Sequence, residues 1–320
     1  METTDQAFAQ EQSAKDGSWG ACYEEWFLKL DASITALNDL ADRGQSPSYP
    51  LSFLDRIRNP EGLHSYLGDL LVSDVAGSGI DHRDELGAVT GALSQLLFKD
   101  QLRRYVDVPA KGLAIDEQYI EAYQRFLDAS QDPSTGYWGA WYRVGKKLYK
   151  SADLSLTFHT ISYLNGKVRF WPRIIDTTLA IKSLEYPYGW MKDGSYNHHN
   201  NYDVVKIFRS GWAYMDDEQR ERSRAEIAAM LMWCLEMRMD PKMPFAVDAA
   251  FYSNPGDYYY YGVSFIDEIG YWDRSKRFWT SQGYPGALNL CRSIKARLLE
   301  SKLDTPPARA ARQKLEMNCP

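Results

Sequence analysis

The sequence predicts an all-α protein, an (α/α) toroid or barrel built from serial helical hairpins. Apolar residues recur at three- and four-residue steps along most of the chain, and strand-like alternation is scarce. Ten or so such segments, joined by short loops, are typical of helix pairs in series. A segment that is apolar nearly all round, such as 154–164, favours a closed double ring in which both sides of the inner helices are covered.

In the first half of the chain, the predicted helices are separated by irregular connections. Residues 1–18 are polar, and we expect a flexible N-terminal arm there. A helical pattern begins near Ala21 and has Gly44 as its stop, and a connector with one short helical turn follows. Further helices are predicted at 63–79, 84–106 and 115–130.

The second half has a more regular rhythm. Asp153 and Asp203 each open an apolar helix and lie fifty positions apart, which supports a repeated helix–loop–helix unit. Asn165-Gly166 suits a hairpin turn, but a helix followed by a short loop fits the neighbouring pattern better. We expect one toroid domain over 19–303 and a C-terminal tail over 304–320. In this second half, helices are predicted at 154–164, 174–184, 202–215, 218–237, 261–272 and 284–301.

The composition restricts the classes of partner. A net charge of -6 argues against nucleic acid, because phosphate binding requires clustered lysine and arginine. The 22 tyrosines and 10 tryptophans offer flat apolar faces with polar handles, which suit sugars and polyenes, although a wide helical core also needs large side chains. We expect a small-molecule or oligosaccharide substrate and no cofactor, and the oligomeric state stays open.

The cysteines, the N-terminal residues and the lengths of the apolar runs indicate the cellular compartment. Cys22, Cys234, Cys291 and Cys319 show no metal-binding spacing, and Cys234 and Cys291 are interpreted as core thiols. The N-terminal residues show no secretory pattern, and no apolar run approaches the ~20 residues of a membrane span. The simplest expectation is a reducing cytoplasm.

The stretch from Tyr186 to Trp212 concentrates the polar chemistry, and its core is the predicted loop DGSYNHHNNYD at 193–203. An imidazole is neutral near pH 7 and can take a proton, so His198 or His199 is the candidate base. Tyr202 or Tyr196 is the candidate acid. Asn200 or Asn201 is expected to cap the next helix, and the amides that remain, with Asn197, would bind a carboxylate or a sugar hydroxyl.

Further residues are candidates for binding the substrate. Arg209 suits a carboxylate clamp, although a structural salt bridge explains it equally well. His159 is interpreted first as a core histidine and Asp176 as a helix cap, and both would line the cavity if the ring closes. A metal site of His198, His199 and an acid is disfavoured, because adjacent histidines rarely ligate one ion. Asp153, Asp203 and the Asp248–Asp257 loop with Tyr258 to Tyr261 would surround the mouth of that ring. Further substrate-binding candidates are Tyr260, Trp138 and Trp190.

A repeated motif carries a resemblance to a known superfamily. Gln131, Gly136, Trp138 and Gly139 have the same spacing as Gln12, Gly17, Trp19 and Gly20. This resembles the Gln–Trp repeat of the terpenoid-cyclase and prenyltransferase superfamily, which implies an (α/α) toroid in which the glutamine bridges neighbouring helices. The catalytic Asp-x-Asp-Asp acid of squalene-type cyclases has no counterpart here.

A second resemblance concerns the predicted loop. Residues 193–202 are similar to the asparagine, histidine and tyrosine loops of toroid polysaccharide lyases, which remove a proton beside a uronate carboxyl group. This implies a carbohydrate-active lyase or hydrolase that works by His/Tyr acid–base chemistry. Paired acids at the ring mouth would suit a glycosidase. The alternatives are a terpenoid-cyclase-like or isoprenoid-processing enzyme and a non-enzymatic toroid that binds a protein or peptide.

Overall fold

The computed structural model describes residues 11–106, 115–237, 244–245, 252 and 254–319. These residues are mostly helical and include one small three-stranded sheet, which confirms the all-α prediction. The chain divides into two compact units, Met1–Arg169 and Phe170–Pro320. No helix among the described residues is both long enough and apolar enough to cross a membrane.

In the first unit, most elements pack on a central helix, α4. This helix contacts α1, α2 and α7, and α2 also packs on α6. Small and aliphatic residues on its faces permit the close packing, and Val89, Leu93 and Leu96 are fully buried. The helices are α1 (Trp26–Asp42), α2 (Pro60–Leu71), α3 (Val75–Ser78), α4 (Arg83–Phe98), α5 (Asp100–Arg103), α6 (Glu117–Ser130) and α7 (Leu154–Tyr163).

The sheet of this unit was not predicted. Strands β1 (Val72–Ser73) and β2 (Trp141–Val144) pair in parallel, and β3 (Lys147–Lys150) pairs antiparallel with β2. The turn between β2 and β3 contains Gly145, whose φ is 61°. The hairpin that was weighed around Asn165-Gly166 is absent from that place, because α7 occupies residues up to Tyr163 as predicted.

The two Gln–Trp motifs fold into like turns. The Nε2 of Gln131 donates to the carbonyls of Gly136 (2.8 Å) and Arg169 (2.9 Å). In the first copy, the Nε2 of Gln12 donates to the carbonyls of Gly17 and Tyr49, both at 2.9 Å. The glutamine therefore joins its own turn to a distant segment in each copy.

The other residues of the motif are also equivalent. Gly17 and Gly136 have φ values of 73° and 72°, in the left-handed region that favours glycine. The backbone N–H groups of Trp19 and Trp138 donate to side-chain hydroxyls on the helices that follow, those of Ser33 (2.9 Å) and Thr157 (3.1 Å). Gln12 lies inside the segment predicted as a flexible arm, yet its side chain is held by these bonds.

In the second unit, helix α9 contacts three neighbours. It packs on α8, α10 and α11, and α11 packs on α13, which in turn contacts α12. The boundaries differ from prediction most at the aromatic segments, because the tyrosine run before 261 is helical. The helices are α8 (Trp171–Ala180), α9 (His198–Gly211), α10 (Asp217–Met237), α11 (Pro255–Glu268), α12 (Ala287–Glu300) and α13 (Pro306–Asn318).

The C-terminal segment is tied to this unit. Residues 304–320 were set apart as a tail, but they contain α13, whose Ala308, Ala311 and Leu315 are fully buried. Cys291 and Cys319 form a disulfide, so the interpretation of Cys291 as a core thiol is wrong. Packing of α13 on α12 brings the two Cα atoms to 6.1 Å. A disulfide is more typical of proteins from oxidising compartments than of cytoplasmic ones.

Candidate functional site

The polar stretch around the two histidines is helical rather than a loop. Asn197 is the N-cap of α9, and its Oδ1 accepts a hydrogen bond from the backbone N–H of Asn200 at 2.9 Å. The helix therefore begins at His198, four residues before the predicted start, and Asp203 lies in its second turn instead of opening it. Every residue from His198 to Asp203 is buried.

His198 and His199 point to different neighbours because successive residues of an α-helix are about 100° apart around its axis. The Nε2 of His198 lies 3.4 Å from the Sγ of Cys234. Its ring also meets the rings of Phe245 and Trp233, with centroids 4.9 and 5.0 Å away. His198 is therefore held in the packed interior beside α10.

His199 faces an acid and three tyrosines. Its Nε2 lies 3.7 Å from the Oδ2 of Asp203, one helical turn further along the same face. The ring centroid of Tyr261 is 4.3 Å away, and those of Tyr186 and Tyr252 are 5.2 and 5.7 Å away. These five residues are called the His199 cluster below. Tyr252 and Tyr261 stack on each other at 5.1 Å.

Asp203 is the most unusual member of the His199 cluster. Its side chain is fully buried, and neither carboxylate oxygen makes a hydrogen bond to a described residue. Burial raises the pKa of this carboxyl well above its usual range. A carboxylic acid in this setting retains its proton to higher pH than an exposed one, which places a proton donor beside the imidazole.

The tyrosines near the cluster are proton donors. Burial raises the pKa values of Tyr202, Tyr252 and Tyr261, so their hydroxyl groups stay protonated at neutral pH. Tyr260 joins them, with its ring centroid 5.1 Å from Tyr261 and 6.4 Å from Tyr202. The predicted acid Tyr202 and the predicted binding residue Tyr260 therefore border the His199 cluster through Tyr261.

Two further polar groups belong to the same region of the chain. Asn201 is buried, and its amide makes no hydrogen bond to a described residue. Asp257 lies in the first turn of α11, and burial raises the pKa of its carboxyl. The predicted position Asp248 lies outside the described residues.

Several predicted site residues have structural roles in this unit. The Nδ2 of Asn200 donates to the carbonyl of Trp190 at 2.6 Å, and Trp190 is itself fully buried against Phe208. Asn200 is therefore a tie between the loop and the helix. The cap predicted at Asn200 or Asn201 is provided by Asn197 instead.

Arg209, Asp176 and Tyr196 are also engaged away from His199. The guanidinium of Arg209 donates to the carbonyl of Lys276 at 2.7 Å and pairs with Glu268 at 3.3 Å. Asp176 accepts a 2.7 Å bond from Gln219, and the hydroxyl of Tyr196 lies 3.3 Å from a carboxylate oxygen of Glu226. All three side chains therefore serve to pack the elements of this unit together.

The first unit holds a separate cavity of about 220 Å³ between α1, α4 and α7. Small residues of α4, among them Gly87 and Gly91, line this cavity and leave its space unfilled. His159 lines it, and burial together with the nearby charges of Arg83 and Lys99 lowers the pKa of its imidazole to about 4. His159 is therefore neutral at physiological pH, and its ring stacks on Tyr163 at 5.7 Å.

The predicted residues Asp153 and Trp138 have structural roles in the first unit. Asp153 caps α7, and its carboxylate receives two bonds from Arg83, at 2.8 and 3.2 Å. Trp138 is buried, and its indole N–H donates to the carbonyl of Leu127 at 2.8 Å. Both residues are explained by the local fold.

Tyr186 and Tyr252 were missed as members of the site. Tyr186 lies in the polar stretch itself, but nothing in its local sequence shows that it meets a histidine thirteen positions later. Tyr252 lies 53 positions further along the chain than His199, and its ring centroid is 5.7 Å from that of the imidazole. Among the described residues, no group of three histidine, cysteine or acidic side chains is arranged to hold a metal ion.

Comparisons of the chain with protein-family models, with curated proteins and with solved structures find no match.

Proposed function

We propose that the chain is an enzyme that transfers a proton with His199 and acts on a carbohydrate. The observation that carries this proposal is the position of the imidazole, 3.7 Å from a buried carboxyl and enclosed by three tyrosines. Ionisable groups with strongly perturbed pKa values concentrate at functional sites. Arg83 pairs with the comparably buried Asp153, whereas the neighbour of Asp203 is the imidazole of His199.

The roles follow from the protonation states. His199 is the base that takes a proton from the substrate, because an imidazole is the group that accepts one near pH 7. Tyr261 or Tyr202 is the acid, because burial keeps both phenols protonated. Asp203, one turn further along α9, lies 3.7 Å from the Nε2 of His199 and positions the imidazole by packing beside it. The tyrosine faces provide apolar surfaces on which a sugar ring stacks.

The reaction class is a lyase or a hydrolase. In a lyase, His199 would remove the proton beside a uronate carboxyl group, and a tyrosine would protonate the leaving oxygen. In a hydrolase, Asp203 would be the acid, because burial raises its pKa well above the usual range, and the ionised carboxylate of Asp257 would be the base. The (α/α) toroid is part of the same proposal, and the matching turns of the two Gln–Trp motifs support it.

The proposal is tested by incubating the full chain with uronate oligosaccharides and with neutral oligosaccharides. Ultraviolet absorbance of an unsaturated product reports a lyase, and new reducing ends without that absorbance report a hydrolase. We expect His199→Gln to lower turnover by about 100-fold or more, as loss of a general base does. His159→Gln, the same change in the first unit, should leave turnover unchanged.

Two outcomes would overturn the proposal. One is full turnover by a folded His199→Gln protein, and the other is the absence of turnover on the whole panel by the unmodified chain. Circular dichroism of each variant establishes that it is folded before its activity is compared.

One observation favours a second candidate, an isoprenoid-processing enzyme. A protonated carboxyl among aromatic rings can donate a proton to an alkene, and the rings stabilise the carbocation that results. Asp203 and the tyrosines around it have this character. Mass spectrometry of products from an acyclic isoprenoid tests it, and Asp203→Asn should then abolish conversion.

A further inference from the structure

The β2–β3 hairpin is an insertion into one of two otherwise matching turns. In the first Gln–Trp copy, α1 begins at Trp26, seven positions after Trp19. In the second copy, α7 begins at Leu154, sixteen positions after Trp138. The difference is nine positions, and the ten-residue hairpin, Trp141–Lys150, lies within the longer interval.

The turn does not need this insertion. Both glutamines make the same pair of carbonyl bonds, and both tryptophan N–H groups reach a hydroxyl on the next helix. The first copy makes all of these bonds with no hairpin. The side chains of the hairpin are therefore not required by the turn that carries it.

The composition of the hairpin differs from that of the chain. The sequence WYRVGKKLYK has four cations and no acid, although the net charge of the whole chain is -6. Its aliphatic and aromatic residues are also turned outward: Val144 is 55% exposed, Leu148 48% and Tyr149 52%. Val144 shares one face of the hairpin with Lys147, and Leu148 shares the opposite face with Arg143, so both faces mix cationic and apolar side chains. This mixture is typical of segments that lie at a lipid–water interface.

The neighbouring elements extend the apolar part of this surface and not its positive charge, because Asp74 and Asp81 flank α3. Helix α3 packs against β2, and Val75 on that helix is exposed, as is Ile80 just after it. Lys150 lies over the Trp141 ring with its Nζ 4.4 Å from the centroid, so the cations are presented beside apolar rings. The surface therefore combines positive charge with several exposed apolar side chains.

We propose that this hairpin surface binds an anionic lipid surface. The hairpin inserts by its tip, so that Val144 and Leu148, on opposite faces beside the turn, both enter the boundary between headgroups and acyl chains. Arg143, Lys146 and Lys147 contact the phosphate and carboxylate groups of the lipids. The charge of the hairpin is complementary to such a surface, and the rest of the acidic chain is repelled from it, which fixes the orientation of binding.

The two other partners of a basic hairpin fit less well. Addition of a peptide strand to β3, the edge of the described sheet, is hindered by Lys147 and Lys150, because lysines on an edge strand disfavour pairing. A nucleic acid would engage the cations but would leave Val144, Leu148 and Tyr149 without a role.

The experiment is co-sedimentation of the full chain with vesicles. Vesicles that mix phosphatidylserine with phosphatidylcholine are compared with vesicles of phosphatidylcholine alone, at low and at high salt. We expect binding to the mixed vesicles only, weakened by salt because the headgroup contacts are screened.

Two variants separate the contributions of charge and apolar surface. Lys146→Gln with Lys147→Gln, and Val144→Ser with Leu148→Ser, should each weaken partition by about tenfold or more. Lys15→Gln with Lys302→Gln removes two exposed cations elsewhere and should change nothing.

The proposal is overturned if the unmodified chain binds neither vesicle, or if the hairpin variants partition like the control. A filter-binding assay with single-stranded RNA and with a polyglutamate peptide tests the other classes. Binding there that depends on Lys146 and Lys147 but not on Val144 and Leu148, without vesicle binding, would also overturn it.

Discussion

The cavity of the first unit and the His199 cluster of the second bury comparable groups in opposite ways. In the first, the carboxylate of Asp153 is paired with Arg83, and small residues of α4 leave open space beside a neutral His159. In the second, Asp203 faces His199, and tyrosine rings fill the surroundings. An ion pair between a buried acid and an arginine is explained by the fold. A buried acid beside an imidazole is instead typical of sites where protons are transferred.

The largest effect is expected when the ion pair between Arg83 and Asp153 in the first unit is broken. Arg83→Met leaves the carboxylate of Asp153 buried without its partner, and we expect it to lower the free energy of unfolding by about 3–5 kcal/mol. Urea denaturation measures this change. Asp84→Asn removes the exposed neighbour of the same guanidinium and should cost less than about 1 kcal/mol. A cost as small for Arg83→Met would erase the contrast between the two acids.

The two regions should also show opposite dependence on pH. The pKa of His159 is lowered to about 4 from an ordinary value near 6.5, so its contribution to stability is present above pH 6.5 and is lost as the pH falls. Relative to His159→Gln, the free energy of unfolding of the unmodified chain should therefore fall by about 2–3 kcal/mol between pH 6.5 and pH 4.

Asp203 should give the reverse sign. Its pKa is raised in the folded state, so its contribution to stability is present at low pH and is lost as the pH rises through the folded pKa. Relative to Asp203→Asn, the unmodified chain should therefore lose stability on going from pH 4 towards neutral pH. Denaturation series at several pH values measure both differences, and slopes of the same sign would contradict the assignment of the two sites.

The smallest expected effect on stability comes from adding a methyl group at a helix glycine in each region. A Cβ at Gly91 would meet no atom within 4 Å, so Gly91→Ala should raise the free energy of unfolding by about 1 kcal/mol through helix propensity. A Cβ at Gly211, on α9, would lie 2.7 Å from the Trp171 ring, so Gly211→Ala should lower it by about 1–3 kcal/mol. Thermal unfolding distinguishes the two, and equal shifts would mean that α4 is packed as tightly as α9.

The sequence by itself determined most of the helices, although not α13, and the turns of the Gln–Trp motifs. Periodic apolar residues are a local pattern, and they identified segments such as 154–164 and 115–130 to within a few residues. It also pointed to the right stretch of chain, since His199, Tyr202 and Asp203 lie where polar residues are most concentrated. The largest boundary errors lie at 63–79 and 84–106, where the helices end at Leu71 and Phe98. The helix predicted at 261–272 begins earlier, at Pro255, because tyrosines suit loops, strands and helices alike.

Only the tertiary structure decided what each polar residue does. His198 and His199 are adjacent in sequence, but their neighbours come from α10 and from α11, which lie some thirty to sixty positions further along the chain. The partner of Asp153, the enclosure of Asp203 and the disulfide of Cys291 likewise depend on residues distant in sequence. Protonation and pairing follow from burial and from the identity of neighbouring charges, and both are set when the helices pack.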